Sequence, residues 1–182
     1  YLQSNLKAMK NFIITLMLMF LCGTGMASAQ EKKFSVYAAG FYNLENLFDT
    51  CHDAGKNDYE FLPDGTYKWN KIKYTHKLRN MARVLSEMGT DVLPMSVGCA
   101  VIGVSEVENA KALDDLVAQE PLAKRGYKYC HVEGPDRRGV DCALLYREDF
   151  FKVANVRMHR VVSEQEGFVT RDQIVVSGIY DG

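Results

Sequence analysis

Ile102-Gly103-Val104-Ser105-Glu106-Val107-Glu108-Asn109, with Val101 in front of it, reads as a short buried strand that ends by delivering a carboxylate into the open. Val101, Ile102 and Val104 form a near-continuous apolar run, the pattern of a parallel strand covered on both faces. Asn109 is a helix cap, since its short side chain can accept from the free N–H groups of a first turn, and Ala110 to Ala118 supplies helix formers behind it. Ligands of α/β proteins gather at the carboxyl ends of such strands. Glu106 therefore stands where a metal-binding or acid–base carboxylate would stand. Taken alone, the pattern also suits an acid that only caps the next helix, so its flanks decide.

Upstream, Phe34 to Tyr42 is rich in aromatics and loosely alternating, which predicts a first strand. It runs into Asn43-Leu44-Glu45-Asn46-Leu47-Phe48-Asp49, a polar turn with apolar inserts. Residues 50–68 read as a long loop, with Pro63-Asp64-Gly65 as turn chemistry. Asn70 caps a predicted helix whose apolar positions Ile72, Leu78, Met81, Ala82, Leu85 and Met88 follow helical spacing, and Gly89 stops it. Downstream, a helix runs to about Gln119, and Pro121 opens a turn that ends near Gly126. Tyr127 to Val132 and Val140 to Arg147 read as strands joined by Glu133-Gly134-Pro135-Asp136-Arg137-Arg138-Gly139. Phe151 to Val162 and Gln173 to Tyr180 are further β segments. The order βαβα followed by strands predicts an α/β fold with one mixed β-sheet.

The sequence has 182 residues and a net charge of −1. The length suits one domain, and the charge excludes a globally basic nucleic-acid groove and argues against tight duplex binding. The first residues stand outside the fold. Met9-Lys10, the apolar run Phe12 to Leu21 and Ala27-Ser28-Ala29 predict a signal peptide over residues 9–29. Residues 1–8 then lie upstream of the initiator or derive from a vector, and residues 30–182 form the mature domain. The run is shorter than the ~20 apolar residues a span needs. Phe20-Leu21 before Cys22 lacks the small residue that lipidation favours. The expectation is an exported protein, periplasmic or extracellular, with no stable membrane association after cleavage. Export permits disulfides, but Cys51, Cys99, Cys130 and Cys142 show no metal spacing. Cys130 and Cys142 fall on an expected hairpin; the reading as small buried residues is preferred to a bridge.

Three polar clusters sit at strand ends: Asn43 with Glu45, Glu106 with Glu108, and Asp136-Arg137-Arg138. Carboxylate and amide oxygens suit a hard cation such as Mg²⁺, which takes few protein ligands and keeps several waters. Arginines offer planar donors to phosphate oxygens. Together these are the parts of phosphoryl transfer. Each has a plainer reading beside it. Asn43 can be a turn residue, Glu45 and Glu108 solvated or capping residues, and Asp136-Arg137-Arg138 the charged tip of a hairpin. Arg79 and His76 suit an exposed helix face, and Tyr37, Phe41 and Tyr42 suit strand packing.

Four motifs in order carry a resemblance: Phe41-Tyr42-Asn43-Leu44-Glu45-Asn46-Leu47-Phe48-Asp49; Lys77-Leu78-Arg79-Asn80-Met81-Ala82; Ile102 to Asn109; and Pro135-Asp136-Arg137-Arg138-Gly139-Val140-Asp141-Cys142-Ala143-Leu144-Leu145-Tyr146-Arg147. Over residues 34–182 the chain resembles the endonuclease/exonuclease/phosphatase superfamily (deoxyribonuclease I-like), in particular its secreted bacterial members. The resemblance implies half of a four-layer α/β sandwich, with helices on the outer face of the sheet. It implies that Asn43 and Glu106 hold Mg²⁺ or Mn²⁺ at a catalytic site, that Arg137 and Arg138 contact substrate phosphate, and that water attacks a phosphoester. The substrate, nucleic acid or small phosphodiester, stays undetermined.

The family's later segments, an Asn-His-Trp-like, a Gly-Asp-x-Asn and a Ser-Asp-His-like one, have no match here, and His52, His76, His131 and His159 sit in none of those contexts. The expectation is an N-terminal half, inactive alone, whose missing C-terminal half would cover an exposed apolar sheet face. Two alternatives stay open. One is a non-catalytic exported binding domain that retains the fold. The other is a surface-displayed interaction protein with an uncleaved anchor, which a mature terminus near Gln30 would rule out.

Overall fold

The computed structural model describes residues 35–92 and 97–180, together with Gln3, Lys7 and Met9–Asn11. Contacts divide the chain into two units, Tyr1–Phe34 and Ser35–Gly182. In the first, the described residues are helical, and the signal-peptide reading over residues 9–29 otherwise lies outside the described residues. Among the described residues no helix is long and apolar enough to cross a membrane. The second unit carries the α/β fold.

Its centre is strand β2 (Cys99–Val107), where seven of nine positions are buried, as a strand covered on both faces requires. Strand β1 (Ala38–Leu47) pairs with it in parallel, β4 (Asp141–Arg147) antiparallel, and β3 (Tyr127–His131) adds antiparallel to β4, giving the order β1-β2-β4-β3. Helix α1 (Lys71–Glu87) makes the crossover between the parallel strands, as parallel pairing demands. Helices α2 (Ala110–Val117) and α3 (Glu120–Ala123) link β2 to β3. Both expected caps form. Asn70 Oδ1 accepts from the amides of Ile72 and Lys73, each at 3.1 Å, and Asn109 Oδ1 accepts from Ala112 N at 2.9 Å. Gly89 takes φ +73° just past α1, the left-handed stop that glycine adopts without a Cβ clash.

The core joins Tyr74, Leu78, Ala82 and Leu85 of α1, Leu113 and Leu116 of α2 and Leu122 of α3 to Leu44, Ile102, Val104, Ala143 and Leu145 of the sheet. Ile72, expected among the core positions, is 81% exposed. The buried stripe runs Tyr74, Leu78, Ala82, Leu85, and a residue two places before Tyr74 lies on the far side of a 3.6-residue turn.

Two expectations need correction. The strand does not end at Tyr42, because Asn43–Leu47, read as a polar turn, continues β1 through an irregular stretch. The single mixed sheet becomes a mixed four-stranded sheet and a separate antiparallel pair, β5 (Phe151–His159) with β6 (Gln173–Tyr180). The reason is topological: β4 lies between β2 and β3, so both its hydrogen-bonding edges are taken. A strand that begins three residues after β4 has no free edge there and pairs with the segment that follows it instead. The cysteines Cys51, Cys99, Cys130 and Cys142 are free; Cys130 faces Leu144, not Cys142.

Candidate functional site

The strand end that carries Glu106 is irregular in a specific way. Along β2, Ile102 and Val104 point into the helix-covered core, and simple alternation would send residue 106 there next. Instead Val107 joins the core. The pairing with β4 runs from Ser105↔Cys142 straight to Val107↔Asp141, so Glu106 is an extra residue, a β-bulge. Its φ is +63°. One inserted residue restores the apolar parity for Val107 and frees the carboxylate from the core. The left-handed backbone costs about 1–2 kcal/mol for a residue with a Cβ, a strain typical of sites that must aim a side chain.

β1 bulges at the same level. Asn43 pairs with Ser105 and Leu47 with Val107, so Leu44, Glu45 and Asn46 together face the single residue Glu106. Glu45 and Asn46 also take positive φ, +52° and +59°. Asn43 is exposed, and its Oδ1 accepts from Glu45 N at 2.8 Å. It therefore ties down the start of the irregular stretch of β1, while its register sets it beside the residue preceding Glu106. Lys77 of α1 donates from Nζ to the carbonyls of Glu45 and Asn46, the second at 3.2 Å.

Arg137 and Arg138 emerge at this end because β4 runs antiparallel to β2, which brings the loop before Asp141 to the carboxyl end of β2. The loop is pinned from several sides. Lys56 Nζ donates to the carbonyls of Gly134 and Asp136, Asn57 N to Arg137 O at 2.8 Å, and Arg138 N to Asp136 Oδ1 at 2.9 Å. Both arginine side chains are exposed; Arg137 Nη2 reaches Gly167 O at 3.3 Å. Neither touches Glu106. The cation that does is Arg171, with Nη1 3.5 Å from Glu106 Oε1. Sequence reasoning missed it, since a lone arginine ahead of the last strand carries no local mark.

Glu108, grouped with Glu106 in the sequence, plays a different part. It is 3% exposed, and its Oε2 accepts from Asp49 N at 2.6 Å. Burial, reinforced by the nearby Asp49, Asp53 and Asp58 carboxylates, pushes its pKa up to about 8. A buried carboxyl of this kind stays protonated at neutral pH and ties the loop after β1 to the strand end. Three of the four histidines are likewise spoken for. His52 Nδ1 lies 2.5 Å from Asp58 Oδ1, His131 Nε2 3.3 Å from Asp141 Oδ2, and His76 bonds Asn80 on the exposed face of α1.

Among the described residues no three His, Cys, Asp or Glu side chains are spaced to hold a metal ion together. The donors at the strand end are of another kind: one partly buried carboxylate already facing a guanidinium, and an amide oxygen adjacent in register. Hard divalent ions bind through one or two carboxylates and keep their waters. The residues present fit that chemistry. A model of the Endonuclease/Exonuclease/phosphatase family matches residues 38–182. A comparison with curated proteins gives no match.

Proposed function

As the chain belongs to the endonuclease/exonuclease/phosphatase family, we propose that the carboxyl end of β2 is a divalent-ion and phosphate site for phosphoester hydrolysis. Members of the family are in general hydrolases that act on phosphoesters with divalent metals. In this reading the Glu106 carboxylate and the Asn43 amide oxygen hold Mg²⁺ or Mn²⁺. A bound ion would supply Lewis acidity and charge neutralisation at a phosphoryl oxygen. Arg137 and Arg138, held out on a pinned loop, supply planar donors to the remaining phosphate oxygens, and Arg171 adds a third guanidinium beside Glu106.

The observation that supports this best is the bulge at Glu106. A carboxylate that served only to cap α2 would need no left-handed backbone, and Asn109 already caps that helix. The test is Mg²⁺-dependent hydrolysis of bis(p-nitrophenyl) phosphate by the full-length protein, once active, and by its Glu106→Gln variant. The expected loss is about 100-fold or more, because groups that merely support a metal ligand already cost 10–100-fold when removed. Equal activity in the variant sinks the assignment.

A further inference from the structure

Among the described residues four that are not glycine have a left-handed backbone, and three of them, Glu45, Asn46 and Glu106, meet at one place on facing strands. Only Lys68 lies elsewhere. Such a paired irregularity persists only where its surroundings over-determine it. One side chain does this from outside the sheet. Lys77, on α1, lays its ammonium on the carbonyl oxygens of both Glu45 and Asn46. The group is half-buried and lies 5.6 Å from the centre of the Trp69 ring. Partial burial disfavours its charge, and the carboxylates of Glu45 and Glu106 act in the opposite sense. An ammonium kept there at some desolvation cost, with two backbone carbonyls as its partners, is placed to hold backbone.

We propose that Lys77 is a positioning residue: its ammonium clamps the Glu45 and Asn46 carbonyls and so fixes the paired bulge at the strand end that carries Asn43 and Glu106. The proposal rests on the reading of Glu106 as an ion ligand. It makes a prediction opposite in sign to simple electrostatics. A positive charge near a cation site repels the cation, so if charge were all that Lys77 contributed, its removal would tighten ion binding. If Lys77 holds the bulge, its removal loosens binding.

The experiment titrates Mn²⁺ into the full chain and follows the free ion by electron paramagnetic resonance, for wild type, Lys77→Met, Lys77→Arg and Glu106→Gln. The expected result is a loss of about 10- to 100-fold in Mn²⁺ affinity for Lys77→Met, the range seen for groups that orient metal ligands. Its circular dichroism should match wild type, and amide exchange should quicken over residues 43–47. Lys77→Arg, which keeps several donors for two carbonyls, should restore most of the affinity; a general loss of stability would not be rescued in this way. Affinity in Lys77→Met equal to or tighter than wild type overturns the clamp. Should methionine at 77 unfold the chain, Lys77→Gln against Lys77→Arg makes the same comparison, and equal affinities overturn it. Wild-type affinity in Glu106→Gln would instead overturn the ligand reading, so the two failures are distinct.

Discussion

At the scale of single residues, Glu108 and Glu106 show how two carboxylates two positions apart acquire unlike roles. Glu106 is an inserted residue with solvent on one side and a guanidinium on the other. Glu108 is enclosed, and the cost of a buried charge is avoided by keeping its proton. That proton has a consequence for stability. Folding raises the Glu108 pKa from 4.5 to about 8. Between those values the folded state holds a proton that the unfolded state releases, so stability is full below about pH 4.5 and declines as pH rises through 8. Replacing Glu108 with Gln keeps the acceptor for Asp49 N and removes the ionisable group. We expect chemical-denaturation midpoints of Glu108→Gln to be flatter than wild type between pH 5 and pH 8, and higher at about pH 9. Parallel pH profiles for the two proteins would refute this assignment of the proton.

At the scale of elements, the deciding feature is the bulge in β2. An uninterrupted strand would have to bury Glu106 or expose Val107; a one-residue insertion satisfies both. It also predicts a trade between stability and binding. Glu106→Gln and Glu106→Gly both remove the carboxylate charge; glutamine keeps an oxygen that accepts from Arg171, but that contact is long at 3.5 Å, and only glycine relieves the left-handed strain. Glu106→Gly should therefore be more stable than Glu106→Gln by about 1 kcal/mol, measured by urea denaturation, although both lose ion binding. A glycine variant less stable than the glutamine one would mean that the bulge carries no such strain. The helices are simpler. Asn70 and Asn109 each cap the helix that follows, which is why the starts of α1 and α2 are legible in sequence. Their packing faces are less so, as Ile72 shows: a residue in the first turn can obey the composition of an apolar helix and still face water.

At the scale of the whole domain, helices cover one face of the four-stranded sheet, and the other bears an apolar groove lined by Phe41, Gly103, Cys142, Leu144, Ile174 and Val176. Phe41 is 67% exposed, and Ile179 of the β5–β6 pair 68%. Exposed apolar surface of this kind drives association. The chain is expected to self-associate with rising concentration in sedimentation velocity, and Phe41→Ser with Ile179→Ser should reduce it. A strictly monomeric wild type over the micromolar range would refute this.

The sequence by itself determined the elements and their order, the caps at Asn70 and Asn109, the stop at Gly89 and the position of Glu106 at a strand end. All of these depend on residues within a few places of one another, where backbone sterics and local hydrogen bonds act directly. It also set Asn43 and the Arg137–Arg138 loop at strand ends; that both lie at the carboxyl end of β2 follows from β1 pairing parallel and β4 antiparallel to it, which only the assembled sheet decides. Tertiary structure alone decided the rest. Arg171 meets Glu106 across 65 positions, Asp49 meets Glu108 across 59, and Lys77 reaches Glu45 across 32. No spacing rule connects residues so far apart. The division into two sheets followed from which edges of β4 were already filled. The burial that keeps Glu108 protonated exists only once the loop after β1 has closed over it, and that closure is a property of the assembled fold.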